Sequence, residues 1–360
     1  MFTPEGEVWY GIPEFNVLAH NITIPGFSPL FPDAHCTSDG SICQLITGEA
    51  EINAASTITA LVYSGVFDLT TTYFLIAGIA GINPKVATIG SVTFARFAVQ
   101  VALQYEFDAR EKPLDFPTGY VPQGSYAPDQ YPESLYGTEV FELNSDLRTI
   151  AVEFAKTATL NDSVTSQELR ALYANVSVYA AGAAPPAITE CDSGTSDAYW
   201  SGALLGEAFE NTTSLFTNGT GVYCSTQQED NATLEVLLRA ALAGLADFSR
   251  IILMRTASDF DRQHDGETAA ANLFGDTPGY KPSLVNIYLA GVKVVEGIVH
   301  GWEKKFKKGI KPTNYIGDIF GSLGGEPDFG PGSEFGGFPA TSASSFRRSV
   351  RKRSRVVRRL

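Results

Sequence analysis

The chain has 360 residues, 44 % hydrophobic and 18 % charged, with 34 Gly and 19 Pro. That is a globular composition, long enough for one large α/β domain or two ordinary ones. The formal net charge of −14 averages two objects, because eight of the 26 Lys/Arg lie in residues 341–360 and none of the 40 Asp/Glu does. A body that acidic repels nucleic acid and anionic membrane surfaces. No apolar run reaches the roughly 18–20 residues of a membrane span.

Four cysteines, Cys36, Cys43, Cys191 and Cys224, include no C-x-x-C pair, and only four His accompany them, so no metal site is expected. Asn-x-Ser/Thr triplets stand at Asn21, Asn161, Asn175, Asn211, Asn218 and Asn231. Beside an even cysteine count they favour a secreted, cell-surface or lumenal/vacuolar protein, with Cys36 paired to Cys43 and Cys191 to Cys224. The short 36–43 separation, with Asp39-Gly40 between, suits a disulfide-closed turn.

In chain order, Glu5 and Glu7 stand beside Trp9 in an opening that reads like the interior of a domain, so a preceding strand is expected to be missing. A Pro/Gly-rich loop covers 21–44, a short strand 44–47 and a helix 48–66. Residues 73–77 read as a buried strand ending in Gly78-Ile-Ala-Gly81, where glycines let a ligand approach the backbone. Strands are expected at 89–97 and 99–106, then a long Pro/Gly/Tyr loop at 108–136 that suits a lid or a subunit contact. Helices follow at 143–157 and from 166 to 173, and a strand at 221–227. The next helix runs from 229 to about 245, with Asp230 as its N-cap.

Ile251-Ile-Leu-Met254 reads as a strand buried on both faces, followed by a polar turn that crowds Ser258, Asp259, Asp261 and Arg262 together. Ligands of open α/β sheets bind outside the carboxyl ends of strands, so a carboxylate there is a candidate for chemistry. A long helix is expected at 284–307. The boundaries that result are a domain at 1–312, a Gly/Pro-rich extension at 313–340 and a basic, disordered tail at 341–360. Alternating strands and helices over most of the chain imply an α/β domain with a central sheet.

Six stretches carry a resemblance: Thr47-Gly-Glu-Ala-Glu-Ile-Asn-Ala-Ala55, Leu75-Ile-Ala-Gly-Ile-Ala-Gly-Ile-Asn83, Ile89-Gly-Ser-Val92, Thr195-Ser-Asp-Ala-Tyr-Trp200, Gln228-Glu-Asp-Asn-Ala-Thr-Leu234 and Arg255-Thr-Ala-Ser-Asp-Phe-Asp261. In this order, over roughly residues 1–310, they resemble the nucleoside phosphorylase and nucleosidase superfamily. Within it, the chain is most similar to the fungal purine nucleoside permease family. The resemblance implies a single phosphorylase/nucleosidase-like α/β domain, a central mixed sheet flanked by helices, that cleaves the N-glycosidic bond of a purine nucleoside. It also implies a homo-oligomer, such as a dimer, and no cofactor, with phosphate needed only by a phosphorylase.

Carried over by position, Asp259 is the acid that protonates the base, with Ser258 beside it and Asp261 as a rival whose more ordinary role is a helix N-cap or the surface. Glu229 holds the ribose hydroxyls in preference to Glu235, which falls on a solvated helix face. Tyr199 stacks on the purine, Gln228 is a further substrate contact, and Gly78 and Gly81 admit backbone groups to the ligand. Phosphorylases also carry arginines near the first strand and before the glycine turn; here no Arg precedes Arg96, and Gly90-Ser91 replaces a Gly-Asp pair. Nucleosidases place a water-activating glutamate after the first strand, which Pro4-Glu-Gly-Glu-Val8 matches at Glu7, with Glu5 as the fallback. The implied reaction is therefore hydrolysis, with phosphorolysis or a nucleoside-binding role in uptake as alternatives.

Overall fold

A computed structural model describes residues 2–329; the far part of the extension and the basic segment at 341–360 lie outside the described residues. Helices are α1 (Thr3–Glu7), α2 (Ala50–Tyr63), α3 (Ser145–Ala155), α4 (Val164–Ala171), α5 (Ala203–Phe216), α6 (Asp230–Leu242), α7 (Ala269–Phe274) and α8 (Tyr280–His300). Strands are β1 (His20–Thr23), β2 (Asp33–Cys36), β3 (Cys43–Gln44), β4 (Phe74–Ile82), β5 (Val92–Ala95), β6 (Phe97–Gln100), β7 (Tyr105–Glu106), β8 (Tyr120–Val121), β9 (Val140–Glu142), β10 (Ile188–Glu190), β11 (Asp192–Thr195), β12 (Tyr223–Gln227), β13 (Ile251–Phe260) and β14 (Gly317–Asp318).

The fold is α/β, built on one mixed nine-stranded sheet in the order β10-β5-β13-β4-β12-β11-β6-β9-β14 and flanked by helices. β13 lies inside it, parallel to β4 and antiparallel to β5. Its apolar run has no polar alternation because both faces are covered. Ile251 and Leu253 pack into a core with Ile58 and Leu61 of α2 and Leu234 and Leu237 of α6. Ile252 and Met254 face the opposite core, with Leu147 of α3 and Ile287 and Val294 of α8.

Several boundaries differ from expectation. β13 does not end at Met254 but continues through the polar residues to Phe260, because β4 pairs with it along its whole length, as far as Phe260↔Ile82. The glycines expected after the 73–77 strand lie inside β4 for the same reason. A bulge between Ala257 and Asp259 takes Ser258 out of register and re-aims the side chains beyond it. The helix α5 was not anticipated; it covers Phe97, Val99 and Tyr223 with Ala208, Phe209 and Phe216.

The domain also reaches beyond residue 312. β14 pairs with β9, and Phe329 is buried edge-on against Phe97 with ring centroids 5.6 Å apart. α8 is long and apolar enough to cross a membrane by length and composition, with mean hydropathy 1.3. Asn286, Lys293 and Glu296 interrupt its sequence, so no continuous apolar run marks it. Half of its most apolar 18-residue window is buried here, and its apolar positions build the core beneath β13.

Both expected disulfides are present. Cys36–Cys43 joins residues that are partners in the β2–β3 hairpin, and Cys191–Cys224 links the start of β11 to β12. Two disulfides fit an oxidising, extracellular or secretory-pathway compartment. The glycosylation triplets divide by burial. Asn21, Asn161, Asn175 and Asn211 are exposed, whereas Asn231 is 1 % exposed inside α6. It accepts a bond from Thr195 Oγ1 at 2.7 Å and donates to Thr138 O at 2.8 Å. Glycopeptide mapping of protein recovered from its native compartment should therefore find Asn231 unmodified whatever the occupancy of the exposed sites. A glycan on Asn231 in folded material would contradict this packing.

Candidate active site

Where β13, β4 and β12 end, an open cleft with a cavity volume of about 120 Å³ is lined by Glu5, Glu49, Gly81, Tyr199, Trp200, Gln228, Glu229, Arg255, Ser258 and Asp259 among others. The structure thus brings together residues from six separate stretches of sequence. Asp259 sits just past the bulge of β13. Ser258 Oγ lies 2.5 Å from its Oδ1 and 3.1 Å from Ala80 O, and the Tyr199 hydroxyl stands 3.5 Å from its Oδ2. Burial pushes the Asp259 carboxyl up to about 6, outweighing the Ser258 and Tyr199 hydroxyls that oppose it, and the Asp261 charge adds to the rise. With Ser258 donating to Oδ1, a proton on this carboxyl is directed to Oδ2, on the side of Tyr199.

The second centre is Arg255, four residues back along the same strand and only 4 % exposed. Its guanidinium reaches Glu229 Oε2 at 3.1 Å and Asp230 Oδ1 at 2.5 Å. Glu229 joins β12 to α6. Burial, the largest influence, would raise its carboxyl, yet the carboxyl is held low; Arg255 is chief among the groups that lower it, and the Ala50 amide, which donates to Oε1 at 3.2 Å, contributes. Asp230 is not the N-cap of α6 but its first residue. Gln227 takes the capping role through Oε1, which accepts from the amides of Glu229 and Asp230 at 2.7 and 2.8 Å. Asp230 is thereby free to bind Arg255 and to accept from Ser193 Oγ at 2.8 Å.

The N-terminal glutamates exchange places relative to expectation. Residues 3–7 form a helical turn rather than the end of a strand, and residues two apart within such a turn lie on nearly opposite faces, which sends Glu5 inward and leaves Glu7 exposed. Glu5 is 3 % exposed and lines the cleft; its Oε1 accepts from the Ile79 amide at 2.6 Å. Glu7 does not line the cleft. The glycines of β4 serve these side chains. A Cβ on Gly78 would come within 2.6 Å of Arg255 Nη1 and 2.8 Å of Glu5 Oε1, so Gly78 makes room for the charged groups without itself lining the cleft. Gly81 lines it, 3.4 Å from Asp259 Oδ2 by the same measure.

Tyr199 is 67 % exposed and forms the outer wall. Trp200 beside it was not singled out from sequence; it is stacked over Tyr223 with centroids 6.3 Å apart. Gln228 lines the cleft and donates to Asp197 O at 3.1 Å. Glu235 pairs with Arg239 one turn on and stays outside the cleft. Asp261 is neither a cap nor a surface residue. It is 2 % exposed, bound by Arg262 at 2.7 and 2.9 Å and by the Tyr223 hydroxyl at 2.8 Å. The unanticipated member is Arg255, whose signal was a lone arginine directly after four apolar residues of a buried strand. A charge in that position needs buried carboxylates to meet it.

The family described as purine nucleoside permease (NUP) matches residues 1–311. This chain belongs to the purine nucleoside permease family. A relative named purine nucleoside permease from Candida albicans is 48 % identical over 337 residues, 92 % of this chain and 81 % of its own length. A probable purine nucleoside permease from Schizosaccharomyces pombe is 44 % identical, covering 84 % of this chain and 88 % of its own. Among solved structures, the 5′-methylthioadenosine/S-adenosylhomocysteine nucleosidase of S. pneumoniae aligns with a TM-score of 0.47 at 12 % identity, over 82 % of this chain and 96 % of that one. Futalosine hydrolase of Helicobacter pylori aligns with a TM-score of 0.43 at 16 % identity, over 83 % and 92 %. Likenesses that distant assign no activity to a member of this family.

Proposed function

We propose that the cleft hydrolyses the N-glycosidic bond of purine nucleosides to free base and ribose, in an extracellular or lumenal compartment. The observation that carries this is Asp259: a buried carboxyl, raised to about 6, opening onto a cleft whose other charged side chains, among the described lining residues, are the carboxylates of Glu5, Glu49 and Glu229 and the one guanidinium of Arg255. As the C1′–N9 bond breaks, its electron pair leaves with the purine, and Asp259 supplies the proton to N7. The sugar's developing positive charge lies among carboxylates, which stabilise it. Glu229, held in place by Arg255 and the Ala50 amide, takes the ribose hydroxyls. Tyr199 lies against the base, with Gln228 as a further contact. Water attacks C1′ and gives its proton to Glu5, which has the inward position expected of Glu7.

Phosphorolysis would need a cation to hold phosphate. Arg255 is the one Lys or Arg among the described cleft-lining residues, and Glu229 and Asp230 already engage it. The family description favours a second role, delivery of nucleoside for uptake. Product analysis with inosine and adenosine separates the three. Expected are ribose and base in phosphate-free buffer, unaffected by added phosphate. Glu5→Gln should lose on the order of 10²–10⁴ in turnover, the usual contribution of a positioned proton acceptor, while the exposed Glu7→Gln stays close to wild type. Ribose 1-phosphate on adding phosphate would establish a phosphorylase. Tight nucleoside binding without products would leave uptake.

A further inference from the structure

Glu49 has no structural task to account for its place at the cleft. It precedes α2 as the capping residue, yet its side chain makes no capping hydrogen bond. The first two amides of α2 are instead met from a distance, Ala50 N donating to Glu229 Oε1 at 3.2 Å and Glu51 N to Asp197 Oδ1 at 2.9 Å. The Glu49 carboxylate is exposed and lines the cleft with Glu5, Glu229 and Asp259. Its charge reaches across to α8, where the Tyr280 hydroxyl is pushed up by burial first and then by Glu5 and Glu49. The sole described cation of the lining, Arg255, is buried and engaged by Glu229 and Asp230.

We infer that Glu49 makes this cleft selective for purine nucleosides over their 5′-phosphates, by setting an unneutralised negative charge where the phosphate of a nucleotide would have to enter. The inference rests on the proposal that a purine nucleoside occupies the cleft. A phosphate there would meet four carboxylates and, among the described lining residues, no Lys or Arg that is not already engaged, and like charges brought together in a partly enclosed site repel strongly. A neutral 5′-hydroxyl feels none of this. The acidic lining that stabilises the sugar's positive charge therefore also sorts substrates before chemistry begins.

The test measures kcat/KM for inosine, inosine 5′-monophosphate and 5′-methylthioinosine, the last an uncharged 5′ substituent as a control for bulk. The monophosphate should be poorer than inosine by at least about a hundredfold, with the thioether much closer to inosine. Raising ionic strength should narrow the gap, since the cleft mouth is open to screening. Glu49→Gln should narrow it by about tenfold, as expected for one removed repulsion. A monophosphate handled as well as inosine, or a gap unmoved by Glu49→Gln, would overturn the inference. If none of the three is cleaved, the hydrolase proposal has failed instead. Equilibrium binding of the same three ligands to wild type and Glu49→Gln then reads the same ratio and decides the selectivity by itself.

Discussion

Asp259→Asn should lower turnover by about 10²–10⁴-fold, the loss typical of removing a general acid, while making the folded protein more stable at neutral pH. The two effects have one cause. Burial raises the Asp259 carboxyl from 3.8 to about 6, so the folded chain holds this proton more tightly than the unfolded one. The resulting contribution to stability is complete below about 3.8 and is lost as pH rises through about 6. Above that the buried carboxylate is ionised at a cost of ~3 kcal/mol. Asparagine has no charge to desolvate, and its carbonyl can accept from Ser258 Oγ as Oδ1 does at 2.5 Å. Thermal unfolding at pH 7.5 should show a higher Tm in the variant, and the difference should vanish towards pH 4. The sign for activity is the same: the acid must be protonated, so wild-type kcat/KM should decline above about pH 6, and the residual activity of Asp259→Asn should lack that limb. Wild-type turnover in the folded variant would remove Asp259 from the mechanism.

Arg255→Met should be the most destabilising single change at the cleft, by about 3–5 kcal/mol, because it strands buried carboxylates without their partner. Asp230 is 0 % exposed and Glu229 7 %. Without the guanidinium, Asp230 keeps only Ser193 Oγ at 2.8 Å among its side-chain partners here. Burial already pushes Asp230 up, and removing Arg255 would raise it further and release Glu229 from the charge that chiefly holds it low. The loss should therefore be greatest at high pH and shrink as acid protonates the pair. Chemical denaturation of Arg255→Met and of Arg255→Met with Asp230→Asn tests the cause: the second substitution should return a substantial part of the lost stability. If the double variant is less stable than the single one, the arginine acts through packing and not through charge.

The apolar run 251–254 specified a strand covered on both faces, and the sheet bears that out with separate cores under Ile251/Leu253 and Ile252/Met254. Alternating strands and helices pointed to the α/β class, and the even cysteine count, the glycosylation triplets and the short 36–43 separation pointed to the two bridges that are present. These follow from local pattern and chain chemistry, which a single sequence displays. What the sequence could not display was the direction of side chains near the sheet's end. Glu5 and Glu7 differ by two residues, and only a helical turn where a strand end was expected sends the first inward and the second to solvent. Asp261 resembled a surface carboxylate until Arg262 and Tyr223 closed round it from the same strand end and from β12. Arg255 acquired partners from the β12–α6 junction and the first residue of α6, 26 and 25 residues away in sequence, through a strand order that no local pattern encodes. Sequence by itself determined which segments are buried and which residue types stand at the end of β13. Tertiary structure decided which of those charges face one another, because an ion pair across strands depends on register, and register is set by the whole sheet.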